Sequence, residues 1–169
     1  MTKNKQKYQN SRTLQYINDY PETIVETAGI APLLKFNLKF LEVNQKDAGF
    51  CALEDLTDSD REMLLDKMKW FSTESRFTWE TKPTGRGERP LLVVYDNIPG
   101  KSKAKHPKNV PSDVSWARFR LEGRFRLVGF FIPDSLDKCP YKANGREYYY
   151  DRNTFYVVFL DPDHNFYPV

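Results

Sequence analysis

Residues 116–131, WARFRLEGRFRLVGFF, constrain the fold more than any other stretch of the chain. Ala117, Phe119, Leu121, Phe125 and Leu127 fall at odd positions, and Trp116, Arg118, Arg120, Glu122, Arg124 and Arg126 at even ones. Successive side chains of a strand point to opposite faces, so this spacing predicts one apolar face and one arginine-bearing face. Two conformations compete. A continuous strand, bulged at Gly123, keeps the two sets apart, whereas a tight hairpin looped at Glu122 and Gly123 would put Leu121 beside Arg124 and Phe119 beside Arg126. The expectation is therefore one long strand, with Arg118, Arg120, Arg124 and Arg126 aligned on its outer side at repeats of ~6.6 to 7 Å.

The rest of the chain supplies partners for such a strand. Residues 33–43, LLKFNLKFLEV, alternate in the same way and predict a half-buried strand with Leu34, Phe36, Leu38 and Phe40 on one face. Ser59 and Glu62 stand at capping-box spacing, and Leu64, Met68 and Phe71 follow at helical intervals, which predicts a helix over 59–73. Strands are expected over 90–96 (PLLVVYD) and 148–160, the latter apolar at both parities from Phe155 to Leu160, as in a strand covered on both faces. Residues 13–28 suggest a short helix interrupted at Pro21, and the stretches 82–90, 97–114 and 132–147 read as polar loops. Asp161 and Pro162 fit a turn that stops the last strand and leaves His164 and Tyr167 beside its end. The expected class is α+β: an antiparallel sheet of about four to five strands with helices packed on one face. An N-terminal extension, residues 1–30, would precede a single domain over 31–169 with a basic loop at 97–114.

Bulk properties exclude several classes. At 169 residues with 40% hydrophobic and 29% charged residues, the chain suits one hydrophobic core and not a disordered composition. No run approaches the ~18 apolar residues of a membrane span, and the basic start has no apolar stretch behind it, so no membrane partner and a cytoplasmic location are expected. Cys51 and Cys139 lack metal-ligand spacing and read as reduced thiols. Net charge is only +3, yet residues 82–130 hold eleven Lys and Arg against four Asp and Glu. Cations gathered on one surface displace condensed counterions from a phosphate backbone, so the asymmetry points to RNA or another polyanion. The bland alternative is a solvated face paired with local carboxylates such as Glu122.

Guanidinium groups bind phosphate through paired hydrogen bonds and stack on rings, which makes Arg118, Arg120, Arg124 and Arg126 the main candidates. Lys101, Lys103, Lys105, His106 and Lys108 in the basic loop are candidate contacts to the same polyanion. Asp161, Asp163 and His164 contain metal-ligating types, but three residues in one turn rarely converge on an ion, so a turn is the stronger reading and no metal is expected. His164 also has the near-neutral pKa of a general acid or base, with Tyr167 beside it. Tyr148, Tyr149, Tyr150, Phe155 and Tyr156 could stack on bases, or could pack as ordinary strand residues. No P-loop, GxSxG, HExxH or dinucleotide fingerprint occurs, and no cofactor is expected.

In layout, with the strand FRLEGRFRLVGFF, the following strand FYVVFL and a C-terminal His and Tyr, the chain resembles the RelE-like toxins of bacterial toxin-antitoxin systems. The resemblance implies metal-independent cleavage of mRNA, in association with ribosomes, and a cognate antitoxin as partner. It implies catalytic roles for Arg124, Arg126, His164 and Tyr167 in activating the ribose 2′-hydroxyl and stabilising the phosphorane. Against it stand the chain's length, its long segments at 97–114 and 132–147 and its single expected helix. The alternative is a binding module without catalysis, gripping an anionic partner with the same arginines.

Overall fold

The computed structural model describes residues 24–85, 87 and 89–168. Residues 24–31 belong to a unit of their own, in which the amides of Thr27 and Ala28 donate to the carbonyl of Ile24. The remainder of the helix expected over 13–28 lies outside the described residues. From Pro32 to Val169 the chain is a second unit. Its elements run β1 (Lys35–Asn37), α1 (Asp58–Phe71), α2 (Arg76–Thr81), β2 (Leu92–Tyr95), β3 (Ser115–Arg120), β4 (Arg126–Phe131), β5 (Pro140–Ala143), β6 (Arg146–Tyr149) and β7 (Thr154–Asp161). The main sheet has the order β1-β7-β4-β3-β2, while β5 and β6 pair only with each other. The class is α+β. The sheet is mixed where an antiparallel one was expected, because β1 runs parallel to its neighbour β7.

The arginine-bearing segment is a hairpin, which corrects the single long strand. β3 and β4 pair antiparallel with Arg120 opposite Arg126, Phe119 opposite Leu127 and Arg118 opposite Val128. Between them the amide of Leu121 donates to the carbonyl of Phe125 and that of Phe125 to Glu122, with Gly123 in the left-handed region at φ +52°. A loop of Glu122 and Gly123 alone would set the register one residue off, and one residue sends every side chain to the wrong face. The longer connection restores the separation. Ala117, Phe119, Leu127 and Phe131 line one face of the sheet, and Trp116, Val128 and Phe130 share the other with the arginines.

β7 carries one residue more than its partner. Phe159 pairs with Val128, but Val157 pairs with Gly129, so Val158 is the extra residue of a bulge. The bulge reverses the parity of everything after it. Phe155 and Val157 enter one core and Leu160 joins them, while Tyr156, Phe159 and Asp161 face the other side. Apolar residues at both parities therefore reflect a bulge as well as two covered faces. Backbones come very close here: a Cβ on Gly129 would lie 2.1 Å from the Tyr156 carbonyl oxygen.

Both helices cover the first face. Thr57, not Ser59, caps α1, its hydroxyl accepting from the amide of Asp60 at 3.1 Å. Leu64 and Phe71 point inward, with the Phe71 ring 4.3 Å from that of Phe119. α2, which the sequence reading missed, is capped by Ser75 and buries Trp79, whose indole N–H donates to the Phe71 carbonyl at 2.7 Å. Loops cover the second face: Phe50 stacks on Phe159, and Trp116 packs between Phe159 and Phe166. Two further expectations are corrected. The strand over 33–43 stops at Asn37, whose side-chain oxygen accepts from the amide of Lys39 and turns the chain, so Leu38 is exposed and Phe40 packs on the second face. Residues 132–147 are not simply a loop, since Asn144 and Gly145, both at positive φ, connect β5 to β6.

Gly129→Ala must force β4 and β7 apart or remove the bulge, since the clash is with backbone. We expect a loss of stability of at least about 3 kcal/mol in chemical denaturation, well above the effect of an ordinary surface substitution. Near-native stability would show that the close approach can relax.

Candidate functional site

Arg118, Arg120 and Arg126 project from neighbouring strands of one hairpin. Arg120 and Arg126 are direct cross-strand partners, and Arg118 is diagonal to Arg126. Like charges opposite one another are destabilising, so neighbouring groups must account for their positions. Arg124 reaches the same place from the turn and donates through Nη2 to the carbonyl of Asp163 at 2.9 Å. All four arginines, with Arg89 and Lys103, line a cleft of about 430 Å³ that His164 and Tyr167 close from the C-terminal side.

The buried carboxylate of Asp161 shapes that closing segment. One oxygen accepts from the amide of Asn165 and the other from that of Phe166, each at 2.8 Å. Asn165 in turn donates its side-chain N–H to the Gly49 carbonyl, and its own carbonyl accepts from the amide of Lys103. Held this way, His164 sits in the left-handed region at φ +65°. Both Asp161 oxygens are used as hydrogen-bond acceptors, which is the behaviour of a turn. Among the described residues no group of His, Cys, Asp or Glu is gathered to hold a metal ion.

Arg118 is the centre of the constellation. Its Nη1 contacts Nε2 of His164, and because a guanidinium only donates, the pairing suits an imidazole that accepts there. The guanidinium lies 5.2 Å from the ring centre of Tyr167 and 5.9 Å from that of Tyr95, and the two tyrosines stack on each other. Arg126 donates through Nη1 to the carbonyls of Gly123 and Phe125, and Arg120 through Nε to that of Pro90. None of the four stripe arginines takes part in the ion pairs found among the described residues. Among the described residues the one carboxylate lining the cleft is Asp163, against six cations, and Glu122 pairs with Lys67 instead.

This excess charge shows in the titration of the groups inside. Burial, then the nearby Arg118 and Arg120, brings the Arg126 guanidinium down to about 10, which still leaves it charged at neutral pH. Burial and the arginines bring His164 down from 6.5 to about 4. Asp161 moves the opposite way, its carboxyl raised by burial and held back by the backbone amides and Arg126. An anion entering the cleft would favour protonation of His164.

The expected site residues divide. Arg118, Arg120, Arg124, Arg126, His164, Tyr167 and Lys103 come together. Lys101, Lys105, His106 and Lys108 do not line the cleft. The His106 ring packs edge-on against Trp116, and the backbone of Lys105 is clasped by the side-chain amide of Gln45 at 2.7 and 2.8 Å. The outer face of a single strand is corrected too, because Arg118 and Arg126 are buried at the floor of a cleft. Arg89 and Tyr95 were missed. Alternation in PLLVVYD places Tyr95 on the face opposite Leu92, which was the available signal.

The pH dependence follows with a definite sign. In the unfolded chain His164 takes up a proton near pH 6.5, but in the fold only near pH 4, so it costs nothing above pH 7 and destabilises increasingly as pH falls from 6.5 to 4. With screening by water at the cleft mouth, we expect a loss on the order of 1 to 3 kcal/mol across that window. His164→Asn tolerates the left-handed backbone and cannot titrate in this range, so its denaturation curve should lose that component while keeping any contribution from Asp161. Equal acid sensitivity in both proteins would disprove the assignment. Set against known proteins, the chain has no match among family models, curated proteins or solved structures.

Proposed function

We propose that the cleft binds the phosphates of a nucleic acid, with RNA as the expected ligand. The observation that carries the reading is six cationic side chains around one cleft, with a single carboxylate among the described residues that line it. Burying guanidinium groups without counter-charges costs several kcal/mol, and an anion in their midst offsets that cost. Arginine suits the task because its planar fork pairs with two phosphate oxygens and its face stacks on aromatic rings, as Arg118 does on Tyr167. Tyr167, about 38% exposed, adds a surface on which a base could stack.

A second reading, RNA cleavage without a metal, is favoured by the presence of His164 and Tyr167 at the same arginines. In this reaction the ribose 2′-oxygen attacks phosphorus as it loses its proton, the 5′-oxygen leaves with a proton, and a 2′,3′-cyclic phosphate remains. Arg118 and Arg126 would stabilise charge on the phosphorane. Because Nε2 of His164 is engaged by Arg118, the imidazole serves as a positioning residue for that guanidinium, and the part-exposed Tyr167 is the better proton carrier.

For binding, Arg124→Gln and Lys103→Gln each remove a cation at the cleft without touching the core. We expect weaker RNA binding and a salt dependence shallower by about 0.7 in log–log slope for each phosphate of a single strand that is no longer neutralised. An unchanged slope would refute the reading. For cleavage, expression should arrest growth and Tyr167→Phe should relieve the arrest; a harmless wild type that leaves RNA intact, with and without ribosomes, would eliminate the nuclease and leave the binding reading standing.

A further inference from the structure

Arg118 and Arg126 are only 5% and 8% exposed, and the Nε atom of each has no hydrogen-bond partner among the described residues. These two groups line the cleft floor, while Arg124 and Lys103 are exposed. A phosphodiester within a duplex lies on a wide, stiff surface, flanked on both sides by its own backbone. Such a group can meet Arg124 and Lys103 but cannot reach guanidiniums that are more than nine-tenths covered. An end of a chain has no such restriction. A terminal phosphate also carries a charge of about −1.5 to −2 near neutral pH and three free oxygens, against −1 and two for a diester. That charge and geometry match three guanidiniums brought together by one hairpin register, Arg120 opposite Arg126 and Arg118 on the diagonal.

We propose that the cleft floor receives a terminal phosphomonoester, carried by the end of a single-stranded nucleic acid or by a free nucleotide, with Arg118, Arg120 and Arg126 on its oxygens and Tyr167 against the adjoining ring. This rests on the nucleic-acid reading above and narrows it. Arg118 is held at the floor by its bond to His164 and its stacking on Tyr95 and Tyr167, so it is positioned before any ligand arrives.

The test is fluorescence anisotropy with one short single-stranded RNA in three forms, bearing a 5′-phosphate, a 3′-phosphate or hydroxyls at both ends, and with the hydroxyl-ended duplex of the same sequence. Hydrogen bonds to charged groups predict that at least one phosphorylated single strand binds about tenfold or more tightly than the hydroxyl-ended one, and that the duplex is weaker still. Competition by adenosine monophosphate identifies the carrier: weaker than the phosphorylated strand, it points to a strand end, and equal to it, to a free nucleotide; either supports the phosphomonoester. Equal binding of all three single strands, or duplex binding as tight as theirs, overturns the inference while the nucleic-acid reading survives. Absence of binding by every oligonucleotide overturns the nucleic-acid reading, and absence of direct binding by adenosine monophosphate as well overturns the phosphomonoester with it. Arg126→Gln should abolish the preference for a terminal phosphate, and because the ligand comparison is made on the wild-type protein, the test stands even if that variant does not fold.

Discussion

The extra residue in β7 is the constraint on which the cleft depends. Without Val158 bulged opposite the Val128–Gly129 step, Phe159 and Asp161 would fall on the helix-covered face with Phe155 and Val157, and Leu160 would leave it, placing a carboxylate in an apolar core. With it, the strand delivers an apolar residue to each core in turn and then places Asp161 on the arginine side, opposite Arg126. The carboxylate next takes up the amides of Asn165 and Phe166. His164 and Tyr167 reach Arg118 because that turn is folded so. A single inserted position thus links the packing of two cores to the chemistry of one surface.

Parts of this were open to reading from sequence. Helix α1 was, because its cap, period and length agree, although the cap is Thr57 and lies two residues earlier than the Ser59–Glu62 pair suggests. The segregation of arginines from Phe119 and Leu127 was also legible, since it depends only on alternation, and it survives the correction from one strand to two. The hairpin itself was hidden by an assumption about loop length. A two-residue loop gives a register that mixes the faces, whereas the connection through Leu121 and Phe125 does not, and nothing in local pattern distinguishes the lengths except the positive φ that Gly123 permits.

Other elements were obscured by competition between local signals. Leu34, Phe36, Leu38 and Phe40 keep strand period across a point where the Asn37 side chain turns the backbone, and the turn wins. Asn144–Gly145 was the clearest short hairpin signal in the chain, yet its strands expose Tyr148 and Tyr149 and lack an apolar face to announce them. In the site, charge clustering pointed to the right arginines. The contribution of Arg89, the stacking of Tyr95 and the covering of Arg118 and Arg126 depend on tertiary closure, which one-dimensional pattern does not carry.

On the proposed reading, the buried guanidiniums at the cleft floor also connect folding to the medium around the molecule. Whatever anion occupies them binds the native chain and not the unfolded one, and occupancy at a hundred times the dissociation constant adds about 2.7 kcal/mol to the apparent stability. On that reading, phosphate and sulfate buffers would act as ligands, distinct from their general effect on exposed surface. A melting temperature for this chain is in that sense a joint property of the polypeptide and of the counterions supplied with it.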